Sequence, residues 1–249
     1  MSYNPPHLHY DRAPIREAII DVQIDQPATL SVAALDVQSI RARGYPESRK
    51  LFRGQMIGHM EAGKLTAKTE ADQCGYQFIG GGDGKHVVQF RLDGFTFSRL
   101  APYVTWEQLR DEAKHVWASY RQVVPEARVR RVALRYVNQL DLPAQLRDFK
   151  DYIRTYPEIS SDLPQELAGF FSQIQIPFPQ IEAMLILTQA MVPPASPNLV
   201  SVVLDIDIFK DNLKSVSDAD IWGALELLRV QKNLVFESCI TNRTRELIS

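Results

Sequence analysis

From residue 15 to residue 24 apolar and polar residues alternate, with Ala18, Ile20, Val22 and Ile24 on one side and Glu17, Asp21 and Gln23 on the other. A period of two is the mark of a strand with one buried face. The same pattern predicts a strand over 129–142, where Val132, Leu134, Tyr136, Leu140 and Leu142 point one way and Arg131, Arg135 and Gln139 the other. Asn138 interrupts the apolar side, and a buried amide there must find hydrogen-bond partners. Further strands are expected over 55–61, 65–70, 75–79 and 86–92, then over 170–176, 181–191 and 199–209. Within 86–100 the apolar parity shifts at Gly94, which predicts a bulge and a bent strand.

Two stretches have helical spacing instead. Thr105 can cap a helix with Trp106, Leu109, Ala113, Val116, Trp117 and Tyr120 on one stripe, stopped by Pro125. A second long helix, about 218–238, carries Ile221, Leu225, Leu228 and Val235. Shorter helices are expected from Ser31 toward Gly44, with Arg41 and Arg43 near the C-terminal end, and over 147–156. Each half of the chain reads strand, helix, several antiparallel strands, long helix. The expected organisation is therefore an extended lead-in at 1–14, a first α+β half at 15–126 and a second at 127–249, packed as one unit. The predicted fold class is α+β: two pseudo-repeats forming one broad curved antiparallel sheet with helices on one face. The duplicated saddle of TATA-binding proteins and the helix-grip folds are its architectural analogues.

Composition narrows the chemistry. The 249 residues are 45% hydrophobic and 23% charged, with 28 Lys+Arg against 30 Asp+Glu and a formal charge of -2. That describes a folded chain with no global field to hold polyanions. The two cysteines, Cys74 and Cys239, are far apart and outside any CxxC pair, which fits a reducing cytoplasm and indicates no thiolate metal site. No signal peptide or membrane-length apolar run is present, so a cytoplasmic protein with no membrane association is expected.

If the apolar alternation faces the helices, the opposite sheet face gathers Glu17, Asp21, Gln23, Gln89, Arg91, Arg135, Gln139, Asp205 and Asp207. A DNA-gripping saddle would carry a basic face with apolar wedges, and the acidic Asp205 and Asp207 argue against that. Two readings remain for this face: a solvated surface whose charges pair locally, and a surface for a protein or small polar ligand. A rim of Tyr103, Trp106, Arg135 and Asn138 could contribute to such a surface.

Other motifs carry less. The run Gly80-Gly81-Gly82-Asp83-Gly84 before Lys85 lacks the Lys-Ser/Thr and following helix of a phosphate loop, and reads as a hairpin turn. His7, His9 and Asp11 alternate at the N-terminus without further ligands, His59, His86 and His115 being isolated, so no metal or cofactor is assigned. The basic run Arg128-Val129-Arg130-Arg131 reads as a solvated edge, and Glu237 beside Phe236 as a structural hydrogen-bond acceptor. There is no Gly-x-Ser-x-Gly or HExxH motif.

The stretches Ala13-Pro14-Ile15-Arg16-Glu17-Ala18, Leu100-Ala101-Pro102-Tyr103-Val104-Thr105-Trp106-Glu107, Arg135-Tyr136-Val137-Asn138-Gln139 and Phe236-Glu237-Ser238-Cys239-Ile240-Thr241 together resemble a sporadically distributed bacterial family of uncharacterised conserved proteins. The resemblance spans essentially the whole chain. That family often carries Leu-His before the Phe-Glu of the last helix, where this sequence has Gln231-Lys232. The resemblance implies a bacterial cytoplasmic protein of patchy, accessory distribution, and it brings no catalytic residues. The expected function is non-enzymatic: a component of a mobile-element, toxin-antitoxin or defence module that binds a protein partner, with homo-oligomerisation open. The alternatives are a small-molecule or nucleotide-binding enzyme with a pocket between sheet and helices, where Asp205, Asp207, Glu17 and Arg135 would be polar contacts, and a nucleic-acid binder.

Overall fold

The computed structural model describes residues 10–61, 64–146, 148–165, 167–213 and 217–249, the side chains of 55–70 excepted. Its strands are β1 (Ile15–Ile24), β2 (Glu47–Glu61), β3 (Lys64–Gly80), β4 (His86–Arg91), β5 (Gly94–Leu100), β6 (Val129–Pro143), β7 (Phe171–Phe178), β8 (Ala183–Val192) and β9 (Leu199–Lys210). Its helices are α1 (Gln38–Ala42), α2 (Trp106–Val123), α3 (Asp218–Cys239) and α4 (Asn242–Ile248). The strands make one nine-stranded sheet in the order β2-β3-β4-β5-β1-β6-β9-β8-β7, which bears out the α+β class and the antiparallel sheet. The chain divides into two compact units, one of Met1–Ile20, Leu100–Val104 and Arg131–Ser249, the other of Asp21–Arg99 and Thr105–Arg130. None of the described helices is long and apolar enough to cross a membrane.

In the unit of Asp21–Arg99 and Thr105–Arg130, α2 forms as its sequence dictates. The Thr105 hydroxyl accepts from the Gln108 amide at 3.2 Å, and the stripe from Trp106 to Tyr120 is buried. This stripe meets the inward side chains of β4 and β5: Trp117 lies edge-on to Phe95 at 5.4 Å, and Tyr120 edge-on to Phe90 at 5.2 Å. Such aromatic contacts add to the area each ring removes from water.

The parity shift at Gly94 has a different cause from the expected bulge. Arg91 pairs with Gly94, so the chain reverses through Leu92 and Asp93 and the single bent strand becomes the β4–β5 hairpin. The helix expected after Ser31 is also broken, into a 3-10 turn at Val32–Leu35 and the short α1. Leu35 and Ile40 are both fully buried. In a continuous helix, residues five apart point about 140° away from each other, so burying both requires the break.

The glycine run makes the β3–β4 turn, with Gly81, Gly82 and Gly84 at positive φ. At Gly80 a Cβ would lie 2.0 Å from the Gly44 carbonyl oxygen, so this strand end approaches the Gly44–Tyr45 backbone as only glycine allows. The Asp83 carboxylate occupies the turn, accepting from the Lys85 amide at 3.0 Å and from both Arg99 amino groups at 2.9 and 2.7 Å. The Arg99 guanidinium, which could otherwise hold a phosphate at this turn, is already committed to Asp83.

In the other unit, β6, β9, β8 and β7 pair in sequence, and α3 packs on β9. Ser217 caps α3 in a reciprocal capping box with Asp220. Leu134, Tyr136, Leu140, Leu185, Leu187, Leu204, Ile206 and Ile208 face inward and are buried. The helix expected over 147–156 reduces to a 3-10 turn at Phe149–Asp151. Its carbonyls are recruited elsewhere: the Asp151 C=O accepts from the Thr241 hydroxyl, and the Tyr152 C=O accepts from the Thr241 amide and the Thr244 hydroxyl. Helix α4, unforeseen in the sequence, is anchored by these contacts.

Replacing Phe95 with Ala removes the ring at the centre of the α2 contact. The expected loss is about 3–5 kcal/mol, read as a lower urea midpoint at unchanged m-value.

Candidate functional site

Strand periodicity places the predicted polar residues in two separate clusters, one per unit. In the unit of Asp21–Arg99, the Arg91 guanidinium donates to Asp21 at 2.8 Å and to Asp93 at 3.3 Å, and also to the Thr96 hydroxyl, which itself donates to Asp21 at 2.8 Å. Burial works against the Arg91 charge, but the two carboxylates outweigh it and raise the pKa of the guanidinium. Arg53 donates to the second oxygen of Asp93 at 2.7 Å, and Arg130 to Gln23 at 2.9 Å. These side chains form a closed network, so here the locally paired reading of the sheet face is the one supported.

In the other unit, Arg135 makes a two-pronged pair with Asp205, its Nε to Oδ1 at 2.9 Å and its Nη2 to Oδ2 at 2.6 Å. The bond to Asp205 raises the pKa of the guanidinium, with burial opposing. Arg131 reaches Asp207 at 3.4 Å and lies 4.1 Å over the Phe209 ring. Asp141 accepts from Ser201 and from Gln139. Glu17 is half-buried on β1 and adds to the negative field at Arg135.

The same face is more apolar than the charged residues suggested. The β8–β9 and β7–β8 registers bring Met184, Ile186, Thr188 and Ala190 of β8 between Asp205 and Asp207 of β9 and the outer strand residues Phe171, Gln173 and Gln175. The β8 residues are half-exposed, and Phe171 is 71% exposed. Alternation along 181–191 held this signal, since Met184 and Ile186 must face away from Leu185 and Leu187, but an apolar residue on either parity reads as core.

The four predicted rim residues do not share a surface. Trp106 and Asn138 are buried, and Arg135 lies on the opposite face of β6 from Asn138. Asn138 is satisfied as expected of a core amide, donating to the Leu204 carbonyl at 3.0 Å and the Tyr136 carbonyl at 3.3 Å. Tyr103 is half-buried, with its hydroxyl 3.0 Å from that of Tyr136. Glu237 accepts from Tyr10 at 2.7 Å and from Arg245 at 2.8 Å, in line with a structural acceptor. Tyr10 is pushed up to about 12 by burial and by Glu237. His7 and His9 lie outside the described residues, as does the His59 side chain.

One functional-type residue escaped sequence reasoning. Lys232 of α3 is buried, and its ammonium nitrogen sits 3.8 Å over the Tyr136 ring. Burial, and then Arg229, lower its pKa to about 7, with Glu237 opposing. Its position one helical turn after Leu228 was the available signal, since that placement lies on the buried stripe. No family model matches the chain, and no curated protein shows significant similarity to it.

Two stability measurements separate these groups. Arg91 and Asp21 have side chains only 14% and 19% exposed, whereas in the second pair Arg135 is 47% exposed over an Asp205 that is 13% exposed. Arg91→Ala is expected to cost about 2–4 kcal/mol by stranding two carboxylates, and Arg135→Ala about 1–2 kcal/mol, since it strands Asp205 alone and water that already reaches Arg135 can enter to solvate it. Urea titrations of both variants check the contrast.

Lys232 generates a pH dependence of definite sign. Unfolded, its amine holds a proton up to about 10.5, and folded only to about 7. Between these values the unfolded state binds more protons, so stability rises with pH, by up to about 1.4 kcal/mol per unit. The facing groups are Tyr136, backed by Tyr103, with Arg229 and Glu237 on the same helix. Lys232→Met should remove this slope and stabilise the protein at pH 7 by a few kcal/mol, as read from urea unfolding between pH 6 and pH 9.5.

Proposed function

We propose that the protein is a non-enzymatic binding component that docks a protein partner on the outward face of β6, β9, β8 and β7. The observation that carries this reading is the make-up of that face: half-exposed Met184, Ile186, Ala190 and Val203, with Phe171 at its border, beside the Arg135–Asp205 and Arg131–Asp207 pairs. An apolar centre with matched charges is the composition of a protein interface. Phosphate recognition would need uncompensated cations, and these arginines face carboxylates.

The resemblance to a patchily distributed bacterial family supports a partner from the same accessory module, whether of mobile-element, toxin-antitoxin or defence type, in the cytoplasm. The sheet order supports descent of the fold from two copies of one plan. From β1 the strands run outward through β5, β4, β3 and β2, and from β6 through β9, β8 and β7, and in each half a long helix follows the strands, with the short α4 added after the second. On this reading the two halves, 15–126 and 127–249, form one curved sheet.

A second reading, a small-molecule site between sheet and helix, is favoured by Lys232 over Tyr136. It predicts that a bound nucleotide or metabolite raises the melting temperature, since a ligand held by the native state alone must stabilise it.

Co-expression with the products of adjacent reading frames tests the docking face. The partner should co-purify with the wild type and be weakened at least tenfold by Ile186→Glu, while Leu247→Glu on α4 leaves it bound. Retention of every partner by Ile186→Glu would refute the assignment.

A further inference from the structure

Strand β7 ends the sheet, and among the described residues no strand lies beyond it. Its backbone polarity can be read from its pairing with β8. Phe171 lies opposite Ala190 in a register that runs without a shift to Phe178 opposite Ala183. The Met191 amide donates to the Phe170 carbonyl at 3.0 Å, an ordinary ladder bond, which fixes the phase of the ladder. Even-numbered residues of β7 therefore turn their N–H and C=O groups toward β8, and Phe171, Gln173, Gln175 and Pro177 turn theirs outward. Pro177, which has no N–H, falls on an outward position, where a strand tolerates it.

Proteins ordinarily protect such an edge with charge, and this one carries none. From Leu167 to Ile181 the chain has no Lys, Arg, Asp or Glu. Phe171 is 71% exposed and Ile174 and Ile176 are each 39% exposed. A long edge strand with apolar side chains and open donors and acceptors is a template for another strand.

We propose that this edge pairs with β7 of a second copy of the chain, antiparallel about a two-fold axis at Gln173. That register places Gln173 opposite itself and Phe171 opposite Gln175, so every outward N–H and C=O from Phe171 to Gln175 is used. Pro177 then lies just past the paired segment and limits its length. A two-fold contact sets the same patch against itself, and an uncharged segment is the kind that can do so without repulsion. Exposed Ile174 of each copy comes beside Ser172 of the other, and Phe171 comes beside the aliphatic part of Gln175. This dimer does not rest on the docking proposal, although it would continue the outward face across two copies.

The test removes the outward donors without touching the ladder to β8. In Gln173→Pro/Gln175→Pro the two lost N–H groups are those that point away from β8, as at Pro177. Sedimentation and light scattering should give twice the 28.3 kDa chain mass for the wild type, and the double variant should raise the dimer Kd at least tenfold with an unchanged circular dichroism spectrum. Gln173→Lys, which confronts two like charges across the axis and leaves the backbone intact, should do the same. Ile186→Glu should keep the dimer, so failure of partner docking and failure of dimerisation are separate results. A wild type that remains at 28.3 kDa at several hundred micromolar, or an unchanged Kd in folded Gln173→Lys, would overturn the proposal.

Discussion

The constraint on which the rest of the structure depends is that most strands keep one side dry. In β1 every even-numbered residue from Ala18 to Ile24 is buried while its odd neighbours are half-exposed, and in β9 Val202, Leu204, Ile206 and Ile208 are fully buried. Slipping any such strand by one residue would turn Asp21 or Asp207 into the core. That cost ties register to sequence, and register in turn decides which polar groups meet. Arg135 reaches Asp205 because it stands on the outward side of β6, across the ladder from the acidic residues of β9.

Alternation made the long strands and helices legible because it is a local property of the chain. The β1 and β6 strands, the Thr105-capped helix and the buried stripe of α3 all follow from it. The departures occur where distant groups override local pattern. The segment after Asp148 has helical spacing, yet its carbonyls bond to Thr241 and Thr244, some ninety residues on. At Gly94 the shift of parity is real, but a bulge and a hairpin leave similar marks when the turn is only Leu92 and Asp93.

The predicted site residues divide along the same line. Facing direction was readable, and Asp21, Arg91, Arg135, Asp205 and Asp207 do turn away from the buried side. Their partners were not readable, since pairing depends on which strands become neighbours. The expected rim of Tyr103, Trp106, Arg135 and Asn138 joined residues by kind and sequence proximity, whereas burial of Trp106 and Asn138 assigns both to the core. The apolar part of the outward face was hidden for a related reason: Met184 and Ile186 look like core residues until β8 is known to have one side left open.

Asn138 and Lys232 are both polar groups on the dry side, and the difference between them shows where the fold leaves room for chemistry. The Asn138 amide donates to two backbone carbonyls and is thereby accounted for as architecture. Lys232 meets an aromatic face, which attracts its cation without replacing the hydration that the cation loses. Burial accordingly favours the neutral amine. A core that only had to be stable would hold Met or Leu at this position, because either fills the same space with no desolvation cost. The amine is thus a cost to the fold that packing does not explain, and that cost is the physical ground for the second of the two proposed readings, a small-molecule site between sheet and helix.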